Sequence, residues 1–210
     1  VADGSQVLDV GCGFGGALDY IRTHRSGCRL AGINIDERQV QEARRLLGGP
    51  EDIAFTVADG CRLPVADRSV DHVLAVECLF HFPSRKKFFR EAARVLRPGG
   101  TLALSDFLFN RGTLSTITPD LFVTDDQAAW YGRQSRPLTS DGYGRLGRGT
   151  GFDVLVDDDV SEGTFPTYAA LRRLYREREL PDGVRAIDGL ANLASAGVLG
   201  YHVLAFRRRG

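Results

Sequence analysis

A chain of 210 residues, 43% of them hydrophobic, can bury one substantial core but is too short for two full-sized domains. Its 27 Lys and Arg balance its 27 Asp and Glu, so no net field draws in nucleic acid or an anionic membrane surface. No apolar run approaches the ~20 residues that span a bilayer, and no secretory leader pattern opens the sequence, which reads as cytoplasmic.

Gln6 to Val10 is a short apolar strand running into the glycine-rich turn Gly11-Cys12-Gly13-Phe14-Gly15-Gly16, with helical sequence following to about Ser26. Arg29 to Ile35 reads as a second strand. Asp36 to Leu47 reads as a helix with Val40, Ala43 and Leu47 on one face, ended by Gly48 and Gly49. Ile53 to Ala58 and Val70 to Val76 are further buried-strand runs. Ser84 can cap the next helix, whose Phe88, Ala92, Val95 and Leu96 form an apolar stripe. Pro98-Gly99-Gly100 is expected to separate that helix from a strand at Thr101 to Phe107. Phe152 to Val160 reads as a strand, Thr167 to Glu179 as a helix with Tyr168, Leu171, Leu174 and Tyr175 inward, and Gly200 to Arg207 as the last strand.

Nearly all-apolar strands alternating with helices predict an α/β fold, a Rossmann-like doubly wound sheet covered on both faces. It is expected to be mostly parallel with an antiparallel C-terminal strand. One domain spans 1–210, with the less regular stretch 108–150, including Trp130 and Tyr131, as a flap or cap over the ligand site. The lack of Met, with a core strand almost at the first residue, leads us to expect an N-terminal lid missing from this stretch. Arg85, Lys86 and Lys87, and Arg207, Arg208 and Arg209, are expected as solvated surface runs. Cys12, Cys28, Cys61 and Cys78 form no CxxC pair, so neither a disulfide framework nor a zinc site is expected. Cys78 and His81 could share a helical face, but two ligands alone do not hold a metal.

In a doubly wound sheet the ligand lies beyond the carboxyl ends of the strands. Glycines in the first turn let backbone approach a ligand closely, but Gly11-x-Gly13-x-x-Gly16 also satisfies the dinucleotide fingerprint. Asp9 is more discriminating. A carboxylate at the foot of the turn suits a cationic, phosphate-free ligand such as adenosylmethionine and repels a pyrophosphate at close range. The alternative is that Asp9 only holds the turn's own amides.

Val7-Leu8-Asp9-Val10-Gly11-Cys12-Gly13-Phe14-Gly15 resembles the first motif of class I S-adenosylmethionine-dependent methyltransferases. The resemblance continues through Gly32-Ile33-Asn34-Ile35-Asp36-Glu37-Arg38-Gln39, Ala58-Asp59-Gly60-Cys61-Arg62-Leu63-Pro64, Glu77-Cys78-Leu79-Phe80-His81-Phe82 and Arg94-Val95-Leu96-Arg97-Pro98-Gly99-Gly100. It is similar to the small-molecule type, the sugar and natural-product O-methyltransferases and, more distantly, the quinone C-methyltransferases. The resemblance implies S-adenosyl-L-methionine as cofactor, S-adenosyl-L-homocysteine as product, and no metal. It implies that Gly11, Cys12, Gly13 and Gly15 approach the amino-acid part of the cofactor. Asn34, Ile35 and Gln39 would lie at the ribose, Asp59, Gly60 and Cys61 at the adenine, and Glu77 beside the cofactor. Asn34 stands where the family usually has an acid, and Asp36 with Gln39 has capping-box spacing, an alternative for both residues.

Methyl transfer from a sulfonium needs alignment above all, and an oxygen acceptor must also lose a proton. The tips of the fourth and fifth strands supply Glu77, His81 and Asp106. By the resemblance, His81 is the candidate base and Asp106 its helper, although both have packing roles as alternatives. His24, His72 and His202 read as structural. The expected partner is a small-molecule acceptor, most readily a hydroxyl, with carbon and nitrogen acceptors also open. No nucleic acid and no membrane are expected, and the absence of an Asn-Pro-Pro-aromatic sequence argues against DNA-base methylation. A homodimer stays open. A dinucleotide oxidoreductase and a non-catalytic adenosylmethionine-binding module are the competing readings.

Overall fold

The computed structural model describes residues 1–48, 53–110 and 138–210. Strand β1 (Gln6–Val10) enters helix α1 (Gly16–His24) through the glycine turn, and β2 (Arg29–Asn34) enters α2 (Glu37–Leu47). β3 (Ile53–Val57) and β4 (Val70–Val76) follow, then a single 3-10 turn at Leu79–His81 and helix α3 (Arg85–Val95). The chain continues through β5 (Leu96–Phe109), α4 (Ser140–Arg148), β6 (Phe152–Asp159), α5 (Ser161–Glu177), α6 (Pro181–Ser195) and β7 (Leu199–Arg208).

Local chemistry sets most of these boundaries. Asp36 caps α2 by accepting from the Arg38 amide, Ser84 caps α3 by accepting from the Lys87 amide, and Thr139 caps α4 by accepting from the Gly142 amide. Pro181 opens α6 at a position where a missing N–H costs nothing.

The strands form one seven-stranded sheet in the order β3-β2-β1-β4-β5-β7-β6. The β3-β2-β1-β4-β5 neighbours pair parallel, while β7 runs antiparallel to both β5 and β6. The expected doubly wound fold is present. One apolar cluster, with Leu8, Val73, Phe88, Phe89, Leu102, Tyr143 and Phe206, fills one side. A smaller cluster built on Val7, Leu18, Val40 and Phe55 fills the other. Strand order reverses between β1 and β4, so the crevice at their carboxyl ends is the switch point where ligands bind in such sheets.

Several expectations need correction. β5 starts at Leu96, not Thr101: Leu96 pairs with Val70, and the register shifts before His72 meets Thr101, so Pro98-Gly99-Gly100 is an excursion within the strand's span. Parts of the expected cap 108–150 belong to the core. Leu108 and Phe109 continue β5, and α4 buries Tyr143 completely. Trp130 and Tyr131 lie outside the described residues. The second C-terminal helix is a hairpin partner, α6, whose Ile187 and Ala194 pack on Tyr168 of α5, with Leu171 and Tyr175 alongside. Leu174, expected inward, is 40% exposed. Arg85, expected in solvent, is buried. It sits one turn before Phe88 and Phe89, on the same inward stripe.

Candidate active site

The first turn rises from β1 with Gly11, Gly13 and Gly15 all at positive φ. Gly11 has to be glycine twice over: its φ is +78°, and a Cβ there would come within 2.5 Å of the Cys78 Cβ and 2.7 Å of its Sγ. At Gly13, also left-handed at +54°, the first neighbour of a Cβ is Gln39 Oε1 at 3.9 Å. The space above Gly13 is therefore open toward the end of β2.

Beneath the turn, Asp9 is 2% exposed, and its Oδ1 has no hydrogen-bond partner among the described residues. Burial pushes its carboxyl up to about 7. Its neighbours compensate nothing. The Cys12 thiol is pushed up to about 12 by burial and by Asp9 itself, and the Cys78 thiol rises well above its ordinary range by burial and then by Asp9, Asp106 and Cys12. A buried acceptor with neither a cation nor a donor beside it is costly for the fold alone. The reading in which Asp9 merely ties down the turn's amides lacks its hydrogen bond at Oδ1.

At the end of β2, Asn34 Nδ2 donates to Gln39 Oε1 at 2.9 Å, and Asn34 Oδ1 accepts from the Asp36 amide at 3.1 Å. Gln39 thus pairs with Asn34, and its Nε2 has no hydrogen bond to the described residues. Ile35 beside them is 74% exposed. After β3, Asp59 Oδ1 accepts from the Cys61 amide at 2.8 Å, closing a turn around the buried Gly60. Phe14, Ile35, Val57 and Val76 are all substantially exposed, which lines the carboxyl edge with apolar surface.

The other end of the site, where the sequence places the candidate catalytic residues, is assembled from β4, β5 and β7. Glu77 leaves β4 with φ +50°, a backbone conformation rare for a residue with a Cβ. Its Oε1 accepts from the Tyr201 hydroxyl at 2.6 Å. His81, exposed on the 3-10 turn, has its ring centroid 4.4 Å from that of Phe80. Phe80 meets Phe107, and Phe107 meets Tyr201 edge-on at 5.2 Å. An aromatic row thus runs from His81 to Tyr201.

Asp106 does not join that row. It is fully buried, its Oδ2 accepting from Arg85 Nη2 at 3.1 Å and from the Tyr143 hydroxyl, and its Oδ1 from the Phe107 amide at 2.9 Å. Burial pushes its carboxyl up, while Arg85 and Tyr143 pull it down. The pleat explains the separation. Asp106 shares its strand face with Leu104 and Leu108, whereas Ser105 and Phe107 face the other way. The expected joint action of Asp106 with His81 is not prepared among the described bonds: those of Asp106 run to Arg85, Tyr143 and the Phe107 amide, on the strand face away from the aromatic row. Arg85, Tyr143, Ser105 and Tyr201 were missed as polar partners. Arg85 could have been inferred from its helical phase with Phe88 and Phe89, but Tyr143, in the stretch read as irregular, and Tyr201 have no local signal.

Among the described residues, no His, Cys, Asp or Glu cluster fit to hold a metal occurs, and no helix is long and apolar enough to cross a membrane.

Fold and site together define a doubly wound α/β protein with an open glycine turn at the β1/β4 crevice and a buried carboxyl beneath it. The chain belongs to the class I adenosylmethionine-dependent methyltransferases. A methyltransferase-domain family model matches residues 8–104. The chain is similar to the 27-O-demethylrifamycin SV methyltransferase of Amycolatopsis mediterranei (strain S699), 44% identical over 169 residues, which are 79% of this chain and 60% of that one. It is also similar to the O-methyltransferase resE of Aspergillus sclerotiorum, 30% identical over 210 residues, covering 98% of this chain and 76% of the relative. The chain thus spans about three fifths of the bacterial relative's length. Among solved structures, the cyclopropane synthase MmaA2 from Mycobacterium tuberculosis superposes with a TM-score of 0.85 at 17% identity, covering 99% of this chain and 79% of that one. That likeness concerns the fold alone, and one fold hosts many chemistries.

Proposed function

We propose that this chain methylates a hydroxyl group of a small natural product or sugar-like acceptor, using adenosylmethionine. The observation that carries the cofactor reading is the buried, unpartnered Asp9 Oδ1 under a left-handed glycine turn. A pyrophosphate would meet repulsion there, whereas a ligand bearing an ammonium and a sulfonium gains attraction. The residues present fit such a ligand. Gly11, Cys12, Gly13 and Gly15 form the cradle for its amino-acid part, Asn34, Ile35 and Gln39 take the ribose, and Asp59, Gly60 and Cys61 meet the adenine.

When bound, adenosylmethionine supplies an electrophilic methyl group on a positively charged sulfur. The chain's own task is alignment, exclusion of water and removal of one proton. His81 stands on the turn after β4 at the carboxyl edge, and we assign its imidazole the acceptor's proton. Asp106 contributes through Arg85 and Tyr143, by fixing the start of α3 against β5. That the two relatives are named for O-methylation supports an oxygen acceptor.

Calorimetry with adenosylmethionine, adenosylhomocysteine and NAD, followed by transfer of labelled methyl to a panel of hydroxylated, amino and carbon-nucleophile acceptors, tests this reading. We expect both adenosyl ligands to bind, and label to be acid- and base-stable on an ether oxygen. Binding of NAD alone would overturn the cofactor assignment, and label only on carbon or nitrogen would overturn the acceptor.

A further inference from the structure

Tyr201, Ser105 and Glu77 come from three neighbouring strands. Tyr201 lies in β7, Ser105 in β5 and Glu77 at the tip of β4. The Tyr201 hydroxyl is 2.6 Å from Glu77 Oε1 and 2.8 Å from Ser105 Oγ. A phenol has one proton, and a carboxylate can only accept it. Tyr201 therefore donates to Glu77, and Ser105 donates to the Tyr201 oxygen. The direction of the whole chain is fixed.

Burial and the adjacent Glu77 carboxylate hold the Tyr201 phenol well above its ordinary range, so it stays a donor throughout neutral pH. The Glu77 amide adds a second tie, donating to the Ser105 carbonyl at 3.2 Å. These bonds hold a non-glycine residue in a left-handed conformation that costs energy by itself. Oε1 is occupied. Oε2 forms no bond to the described residues and sits on an exposed side chain.

The placement of that oxygen is informative. β1 and β4 flank the switch point, with Asp9 opposite Leu74, so Glu77 follows β4 just beyond the crevice. If adenine and ribose lie toward β3 and β2, the sulfur end of the ligand falls at β4.

We propose that Tyr201 is a positioning residue: with Ser105 behind it, its hydroxyl holds Glu77 Oε1 so that Oε2 faces the sulfonium of adenosylmethionine. This rests on the cofactor reading given above. It makes Glu77 a charge partner of the cosubstrate, and leaves proton removal to His81.

The test uses the charge difference between two ligands that share adenosine and amino-acid parts. Adenosylhomocysteine has an uncharged sulfur. Tyr201→Phe keeps the ring and its edge contact with Phe107 but deletes the hydroxyl. By calorimetry, Tyr201→Phe should weaken adenosylmethionine binding about tenfold, as for loss of a charged-group hydrogen bond, and adenosylhomocysteine less than about twofold. Glu77→Gln should show the same selectivity, and Ser105→Ala a smaller version of it. Thermal melts verify folding, and Ser105→Ala serves if Tyr201→Phe does not fold. Equal weakening of both ligands, or no change in either, overturns the positioning role. So does selectivity in Glu77→Gln that Tyr201→Phe or Ser105→Ala lacks. Failure of the wild-type chain to bind either ligand would instead sink the cofactor reading.

Discussion

Replacing Asp9 by Asn should stabilise the ligand-free protein while weakening its hold on adenosylmethionine. The carboxyl is pushed up to about 7 by burial, against an ordinary value of 3.8. A carboxyl whose folded value exceeds its unfolded one is destabilising above the unfolded value, and the loss grows until pH passes the folded value. At pH 5 the deficit is roughly 1.6 kcal/mol, and at pH 8 it has levelled off at roughly 4 kcal/mol. Asn carries no such pH-dependent term. Its own unpaired amide costs about 1–3 kcal/mol, but that cost is the same at both pH values. The stability gap between Asp9→Asn and wild type should therefore widen by roughly 3 kcal/mol from pH 5 to pH 8. In melting temperature that is about 6–12 °C for a chain of this size. Thermal melts of both proteins at the two pH values measure it directly. A gap that does not change with pH, or that narrows, would refute the burial argument. Calorimetry at pH 8 completes the test. Removing the charge should weaken adenosylmethionine by about 1–3 kcal/mol, the scale of a partly screened ion pair, and wild-type affinity should rise as pH passes 7.

Gly11→Ala should cost about 2–5 kcal/mol in urea unfolding, combining a left-handed Cβ with overpacking on Cys78, whereas Gly13→Ala should cost only about 1–2 kcal/mol yet obstruct ligand binding more. Asp106→Asn should lower stability by about 3–5 kcal/mol, because it removes the carboxylate from the buried Asp106–Arg85 pair; a loss under 1 kcal/mol would contradict the buried triad. His81→Ala should cut kcat about 10²- to 10⁴-fold with adenosylmethionine affinity unchanged, and unchanged turnover on a matched hydroxyl acceptor would remove His81 as the base.

The geometry of the first turn was legible because it is local. A strand, a glycine turn and a helix occupy consecutive residues, so Asp9, Gly11 and Gly13 declare their relation through spacing alone. The same holds for Ser84 as a helix cap, since the cap and its Lys87 amide lie three residues apart. The arrangement at the tips of β4 and β5 was legible only in part. Glu77 and His81 are nameable as residues of the fourth strand's tip, but position along β5 alone does not reveal which way Asp106 faces. Its phase with Leu104 and Leu108 carried the correct answer. Arg85 is a similar case: a run of three basic residues looks like surface, although the helical stripe through Phe88 and Phe89 includes it. Gln39 matched capping-box spacing with Asp36, yet its side-chain oxygen serves Asn34.

By itself, the order of residues determined the class of fold, the switch-point crevice and the acidic foot of the first turn. Each follows from hydrophobic period, glycine placement or the sign of one side chain, all of which act over a few bonds. Only the folded chain decided which polar groups meet. Tyr201 reaches Glu77 across 124 positions, and Tyr143 reaches Asp106 across 37. Such partnerships depend on which strands become neighbours, in what register and with which face of the pleat turned outward, and none of those is encoded within a single segment.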